Sequence, residues 1–278
     1  MPSGFRVPLH GTWRIRQLNG DIQLHGKAPG LVHQDLVEQG RLPDPFYGAN
    51  ELTQQWVGDS EWEYSREFEL TREQVARRCL VLDCHGLDTV ADVYINDYHV
   101  ASADNMFLRY RWDVKPFMQT GKNNIRVIFH SARREAQRRF ELAEGSSASR
   151  EPHFPWFGRH REYLRKCQCH SGWDWGPCFL VQGIWRDVAL ECRNGARLLY
   201  VTHRQRHTDR AVYLAVRAII DAPDAVDAAM TFRLGDRLCE RRVRLVPGLN
   251  QITEDMTIDA PRLWWPNGYG AQALYDLN

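Results

Sequence analysis

The 278-residue sequence lacks any apolar run approaching the roughly 20 residues needed to span a bilayer. Its opening, Met1-Pro-Ser-Gly-Phe-Arg-Val-Pro-Leu-His10, has no hydrophobic stretch of the kind a secretion signal carries. Neither sign of charge is in excess: 36 basic residues against 35 acidic ones leave a formal charge of +1. No sustained positive field follows, which argues against a general nucleic-acid binder. Cysteine is sparse, with seven residues at irregular spacing, an odd number that makes no disulfide framework and suits a reducing compartment. The Gly-x-Ser-x-Gly elbow, phosphate-binding glycine loops and the His-Glu-x-x-His motif are missing too. What is present, 43% hydrophobic and 26% charged residues, supplies a core and a surface and excludes a disordered chain. The length favours two domains. The expectation is a cytoplasmic two-domain protein without nucleic-acid or membrane partners.

Most of the chain reads as β. Trp62, Tyr64, Arg66, Phe68 and Leu70 alternate with Glu61, Glu63, Ser65, Glu67 and Glu69, a pattern that predicts a half-buried antiparallel strand with a solvated acidic face. Leu80, Leu82 and Cys84, then Val93 and Ile95, then Ile125, Val127 and Phe129, then Val188, Leu190 and Cys192 repeat the period. Turn signals at His85-Gly86, Asn96-Asp97, Gly121 to Asn124 and Asn194-Gly195 separate these runs, as in a sandwich. Two helices interrupt it. One covers Leu31 to Glu38 and stops at Gly40; the other covers Ser131 to Ala143 and gives way to the Gly145-Ser146-Ser147 loop.

The texture changes near Arg193-Asn194-Gly195. Val212, Leu214, Val216, Ala218 and Ile220 alternate, and further strands are predicted near 228–234, 239–246 and 251–258. Four or five strands are fewer than the roughly seven of an immunoglobulin-like sandwich. The last residues, Leu274 to Asn278, read as the inside of one more strand, so the sequence is expected to be the N-terminal piece of a longer protein, its second domain truncated at that strand.

Candidate chemistry concentrates in 152–187. Pro152-His153-Phe154-Pro155-Trp156-Phe157-Gly158 is followed by Cys167-Gln168-Cys169-His170, Gly172-Trp173-Asp174-Trp175-Gly176-Pro177 and Gly183-Ile184-Trp185-Arg186-Asp187. Flat indole faces beside a carboxylate suit a sugar, which offers C–H patches to a ring and hydroxyls to an acceptor. The residue types also allow a plainer arrangement, in which both indoles are core and Asp174 satisfies backbone N–H groups in a turn. The Cys167-x-Cys169-His170 spacing, with Cys178, matches none of the usual structural zinc patterns. A Cys-x-Cys on a strand would place both thiols on one face without closing a tetrahedron, so no metal is expected. No pair of carboxylates placed as acid and nucleophile is evident, so no catalytic residue is assigned.

Several motifs nevertheless carry a resemblance. Pro29 to Leu36, Asp44-Pro45-Phe46-Tyr47-Gly48-Ala49-Asn50-Glu51, Gly86 to Thr89, Asn105-Met106-Phe107, Gly172 to Pro177, Gly183 to Asp187 and Leu263-Trp264-Trp265-Pro266-Asn267-Gly268-Tyr269-Gly270 occur in an order that resembles the β-mannosidases of glycoside hydrolase family 2. The resemblance implies a mainly β chain, with a jelly-roll, galactose-binding-like sandwich over 1–194 and an immunoglobulin-like sandwich over 195–278. It implies a (β/α)₈ barrel beyond the present residues that carries both catalytic glutamates, β-mannoside oligosaccharides or glycans as substrates, and no cofactor. By the same resemblance Asp174 is a sugar-hydroxyl acceptor, Trp173 an apolar wall and Trp175 a further substrate contact. The Asp44 to Glu51 motif becomes a loop that caps the sandwich, with Asn50 and Glu51 candidates for a place near substrate. Asn105 to Phe107 becomes loop packing, and Trp264-Trp265 a docking surface. A stand-alone carbohydrate-binding module and a β-galactosidase or β-glucuronidase of the same family are the alternatives.

Overall fold

A computed structural model describes residues 4–143 and 160–278, which form two compact units, Met1–Arg193 and Asn194–Asn278. The Gly145 to Ser147 loop and the Pro152 to Gly158 motif lie outside the described residues.

In the first unit the strands are β1 (Gly4–Pro8), β2 (Gly11–Gln17), β3 (Gln23–Ala28), β4 (Trp62–Leu70), β5 (Cys79–Cys84), β6 (Ala91–Ile95), β7 (Tyr98–Ala103), β8 (Tyr110–Asp113), β9 (Gly121–Phe129), β10 (Ser171–Trp173), β11 (Gly176–Cys178) and β12 (Val188–Arg193). Helices α1 (Val32–Glu38), α2 (Asn50–Thr53), α3 (Trp56–Asp59), α4 (Arg72–Val75) and α5 (Ala132–Leu142) lie between them. One antiparallel sheet has the order β3-β2-β4-β9-β6-β7 and a second the order β1-β12-β5-β8. The alternating apolar positions of both sheets meet in one core: Ile15, Trp62, Tyr64, Val93, Ile125 and Phe129 from the first pack with Leu80, Leu82, Val188 and Leu190 from the second. Trp62 pairs opposite Phe129 and Tyr64 opposite Val127, and the Tyr64 and Phe129 rings meet edge to face at 5.3 Å.

The two outer faces are less simple than alternation implies. Glu63, expected on a solvated face, is only 7% exposed, because Arg16 and Arg126 from the flanking strands fold over it at 3.3 and 3.1 Å. Asp83 in β5 is fully buried. Burial would raise its carboxyl, but the Arg109 guanidinium, with Nε at 2.6 Å from Oδ1, and Arg111 outweigh that and hold it below the usual carboxylate range. Gly183, where the chain returns toward β12, has φ +152°, and a Cβ there would meet the Gly30 carbonyl oxygen at 2.5 Å. That contact and the Gly30 N–H bond to the Ile184 carbonyl press the entry of α1 onto the sandwich.

The second unit contains β13 (Arg197–His207), β14 (Ala211–Ala222), β15 (Val226–Leu234), β16 (Arg237–Leu245) and β17 (Gly248–Asp259). They form a three-stranded sheet, β13-β14-β17, and a β15-β16 hairpin sheet. Val212, Leu214, Val216 and Ala218 of β14 pack with Phe232, Leu234 and Met256, so the predicted alternation marks the buried face of this small sandwich. Residues near the end pair with β15: the Arg233 and Asn278 backbones exchange two hydrogen bonds at 2.8 and 2.9 Å.

Leu82 sits at the centre of the first core and is fully buried. Leu82→Ala is expected to lower unfolding stability by about 2–5 kcal/mol. Leu142→Ala, at a side chain 74% exposed, should change it by less than about 0.5 kcal/mol. Denaturant midpoints of the two variants check this.

Candidate functional site

The short hairpin β10–β11 carries the aromatic–acid–aromatic triplet. Gly172, at φ +86°, lets the chain turn into it. Trp173, Asp174 and Trp175 at its tip are all exposed, Trp173 by 40% and Trp175 by 72%. The indoles are therefore not core, and Asp174 is not enclosed by the sheets. The two indoles lie 6.4 Å apart and are tilted by 38°. The Arg161 guanidinium covers the Trp173 ring at 4.8 Å while its Nη1 donates to the Gly172 carbonyl at 3.2 Å. The tip thus presents an apolar ledge with a carboxylate between its rings.

The foot of the hairpin is held from two sides. On one, Glu51 Oε1 accepts the Cys178 N–H at 2.7 Å and Gln55 Nε2 donates to the Cys178 carbonyl at 2.9 Å. Glu51, a sequence candidate for a place near substrate, is thus engaged in fixing backbone; Asn50 Nδ2 donates to the Asp44 carbonyl and closes its own loop. This loop leaves Phe46 and Tyr47 exposed by 77% and 76%, with Phe46 edge-on to Phe179 at 5.6 Å. On the other side is a buried ion pair. Lys166 Nζ donates to Asp88 Oδ1 at 2.6 Å and to the Val181 carbonyl at 2.7 Å, with the side chains 4% and 1% exposed. Burial drives the Lys166 ammonium below its usual range, against the pull of Asp88. Sequence patterning gave no sign of this pair: Lys166 stands in the polar stretch Arg165-Lys166-Cys167-Gln168, and Asp88 lies 78 residues away.

The Cys-x-Cys segment is not a strand. Gln168–His170 is a 3₁₀ turn that leads directly into β10, and it brings the Cys167 and Cys169 sulfurs to 3.2 Å. Asn105-Met106-Phe107 divides by residue. Met106 is buried and its sulfur accepts the Cys167 N–H at 3.0 Å, whereas Phe107 is 58% exposed. Trp264 and Trp265, in the second unit, are exposed by 54% and 47% within that unit and line a groove of about 560 Å³ with Val212, Leu214 and Tyr275.

Comparison with known proteins adds the following. The profile of the glycosyl hydrolase 2 galactose-binding domain-like family matches residues 13–186. The β-mannosidase of Mus musculus is 30% identical over 289 residues, which cover 99% of this chain and 32% of that protein. The β-mannosidase B of Aspergillus oryzae is 34% identical over 255 residues, covering 90% of this chain and 30% of its own. Among solved structures, the β-D-mannosidase of Dictyoglomus thermophilum superposes with a TM-score of 0.83 at 32% identity, over 98% of this chain and 33% of that one. The chain spans about a third of the length of the curated relatives it matches.

Two outcomes follow from the buried charges. Lys166→Met leaves Asp88 buried without its cation, and is expected to cost about 3–5 kcal/mol by chemical denaturation. His33 in α1 is buried, and that burial, with the positive Lys166 and His170 nearby, lowers its pKa from 6.5 to about 4. The unfolded ring takes up a proton before the folded one. The stability that depends on neutral His33 is whole above pH 6.5 and is lost as pH falls toward 4, by about 3 kcal/mol at most. Asp35 on the same helix is pushed up to about 6 by its own burial and acts in the opposite sense, since the folded carboxyl protonates first. Urea midpoints measured between these pH values should therefore fall less steeply in His33→Gln than in the parent.

Proposed function

The chain belongs to the glycosyl hydrolase 2 galactose-binding domain-like family, and from that premise we propose that it is the sandwich portion of a retaining exo-β-mannosidase that releases terminal β-D-mannosyl residues. The observation that carries the reading is the exposed Trp173-Asp174-Trp175 tip on a hairpin fixed at both sides of its foot. Its similarity to proteins named β-mannosidases along nearly its whole length supports the same substrate class.

In this reading Asp174 accepts a hydroxyl of the non-reducing sugar and Trp173 walls its apolar face, while Trp175 adds a second contact. A carboxylate accepting from a hydroxyl is a charge-assisted bond, short and directional, and it fixes which epimer fits. Bond cleavage with retention needs two further carboxyl groups about 5–5.5 Å apart, one attacking the anomeric carbon and one protonating the leaving oxygen. Near the hairpin Glu51 binds a backbone N–H and Asp88 a lysine. The family resemblance assigns the reacting pair to glutamates of a (β/α)₈ barrel. The partners are β-mannosides and that barrel; the setting is the cytoplasm, whose reducing conditions suit an odd number of irregularly spaced cysteines. The chain by itself is inactive in this proposal.

The test replaces the matching third of the Dictyoglomus thermophilum β-mannosidase with this chain and follows aryl β-mannoside hydrolysis. Asp174→Ala in the hybrid is expected to lower kcat/KM about tenfold to a hundredfold, the worth of a hydrogen bond to a charged group, with an unchanged thermal midpoint. Unchanged kinetics with a lowered midpoint would overturn the subsite role. Titration of the 278-residue chain with mannose should give no saturable signal; millimolar or tighter binding would favour a stand-alone carbohydrate-binding module instead.

A further inference from the structure

The 3₁₀ turn at the foot of the hairpin gathers three soft donors. The Cys167 and Cys169 sulfurs and a ring nitrogen of His170 all lie within 4.8 Å of one another, and each side chain is partly accessible. We propose that Cys167, Cys169 and His170 form a zinc site that staples the turn preceding β10.

The turn is what makes this chemistry available. On a strand the i and i+2 thiols would share a face, but His170 would point away from them. The tight turn folds the third donor back, and Cys167 and Cys169 sit at a sulfur–sulfur distance of 3.2 Å, so a side-chain adjustment that opens it by about 0.6 Å gives the roughly 3.8 Å that two thiolates of one tetrahedron span at a Zn–S length of about 2.3 Å. The surroundings supply the outer partner that metal-bound histidines ordinarily have. Asp88 Oδ2 lies 3.6 Å from His170 Nδ1, both atoms are buried, and neither has a hydrogen-bond partner. A small rotation of the ring would join them. A carboxylate engaged at one ring nitrogen fixes the tautomer and leaves the lone pair on the other. Asp88 would then face Lys166 with one oxygen and His170 with the second.

Binding is balanced as Zn²⁺ displacing the two thiol protons, to give a neutral bis-thiolate with the imidazole as third ligand and water as fourth. With three ligands in four consecutive residues, the ion closes a small ring and restrains the segment that leads to Gly172 and Trp173. Unlike a closed four-ligand structural site it keeps one open position, and its hold on the turn does not depend on which sugar, if any, the tip meets.

The reduced 278-residue chain, stripped of metal, is titrated with zinc chloride against a chromophoric chelator. One equivalent is expected to bind, and cobalt(II) in its place should show thiolate charge-transfer and tetrahedral d–d bands. Cys167→Ser/Cys169→Ser should abolish both signals and His170→Ala should weaken affinity about tenfold or more. Zinc should also shield Cys167 and Cys169 of the unmutated chain from alkylation, read by peptide mass spectrometry, while leaving Cys239 reactive; this arm needs no variant to fold. Failure to bind one equivalent, survival of binding in the double serine variant, or equal alkylation with and without zinc would each overturn the site.

Discussion

The contact between Lys166 and Asp88 is the constraint on which the rest of the first unit's working end depends. Three remote stretches meet there: the turn after β5, the segment before the 3₁₀ turn and the Val181 carbonyl on the way to β12. A buried charge pair is weak evidence of net stability, since desolvating two ions costs nearly as much as their attraction returns. What it does impose is a single arrangement, because any shift of these stretches would leave an ion unpaired in a low-dielectric interior. The hairpin that rises from this point is only three residues per strand, too short to define its own geometry.

Against that base the division of labour in the hairpin is clear. Its foot is polar and engaged with other segments, through Glu51, Gln55 and the buried pair. Its tip is aromatic and open. Hydrophobic side chains as large as Trp175 are exposed at a cost in solvation, and a chain that keeps them there on a fixed support has them in position before any ligand arrives.

Much of the fold was legible because period-2 patterning is a local consequence of which face is buried. Trp62, Tyr64 and Phe68, or Leu80 and Leu82, declare their strand without reference to any partner. The fates of Glu63 and Asp83 were not legible. Each is buried through arginines on or beside neighbouring strands, distant in sequence, so no window around the acid contains the cause. The Cys167 to His170 segment shows a third limit: whether two thiols and an imidazole converge depends on a turn type that a four-residue string does not specify. At the site, the glycines and prolines bracketing Trp173-Asp174-Trp175 signalled a loop, but core and surface placements were equally compatible with the residue types. The exposure of the tip emerges only from how the hairpin projects.

The clamp that Glu51 and Gln55 place on Cys178 is a mechanical link. By gripping both the N–H and the carbonyl of one residue, they couple the loop bearing Phe46 and Tyr47 to the hairpin bearing the two indoles. Displacing either segment strains both hydrogen bonds, so the loop and the hairpin fray together as one unit and not one after the other.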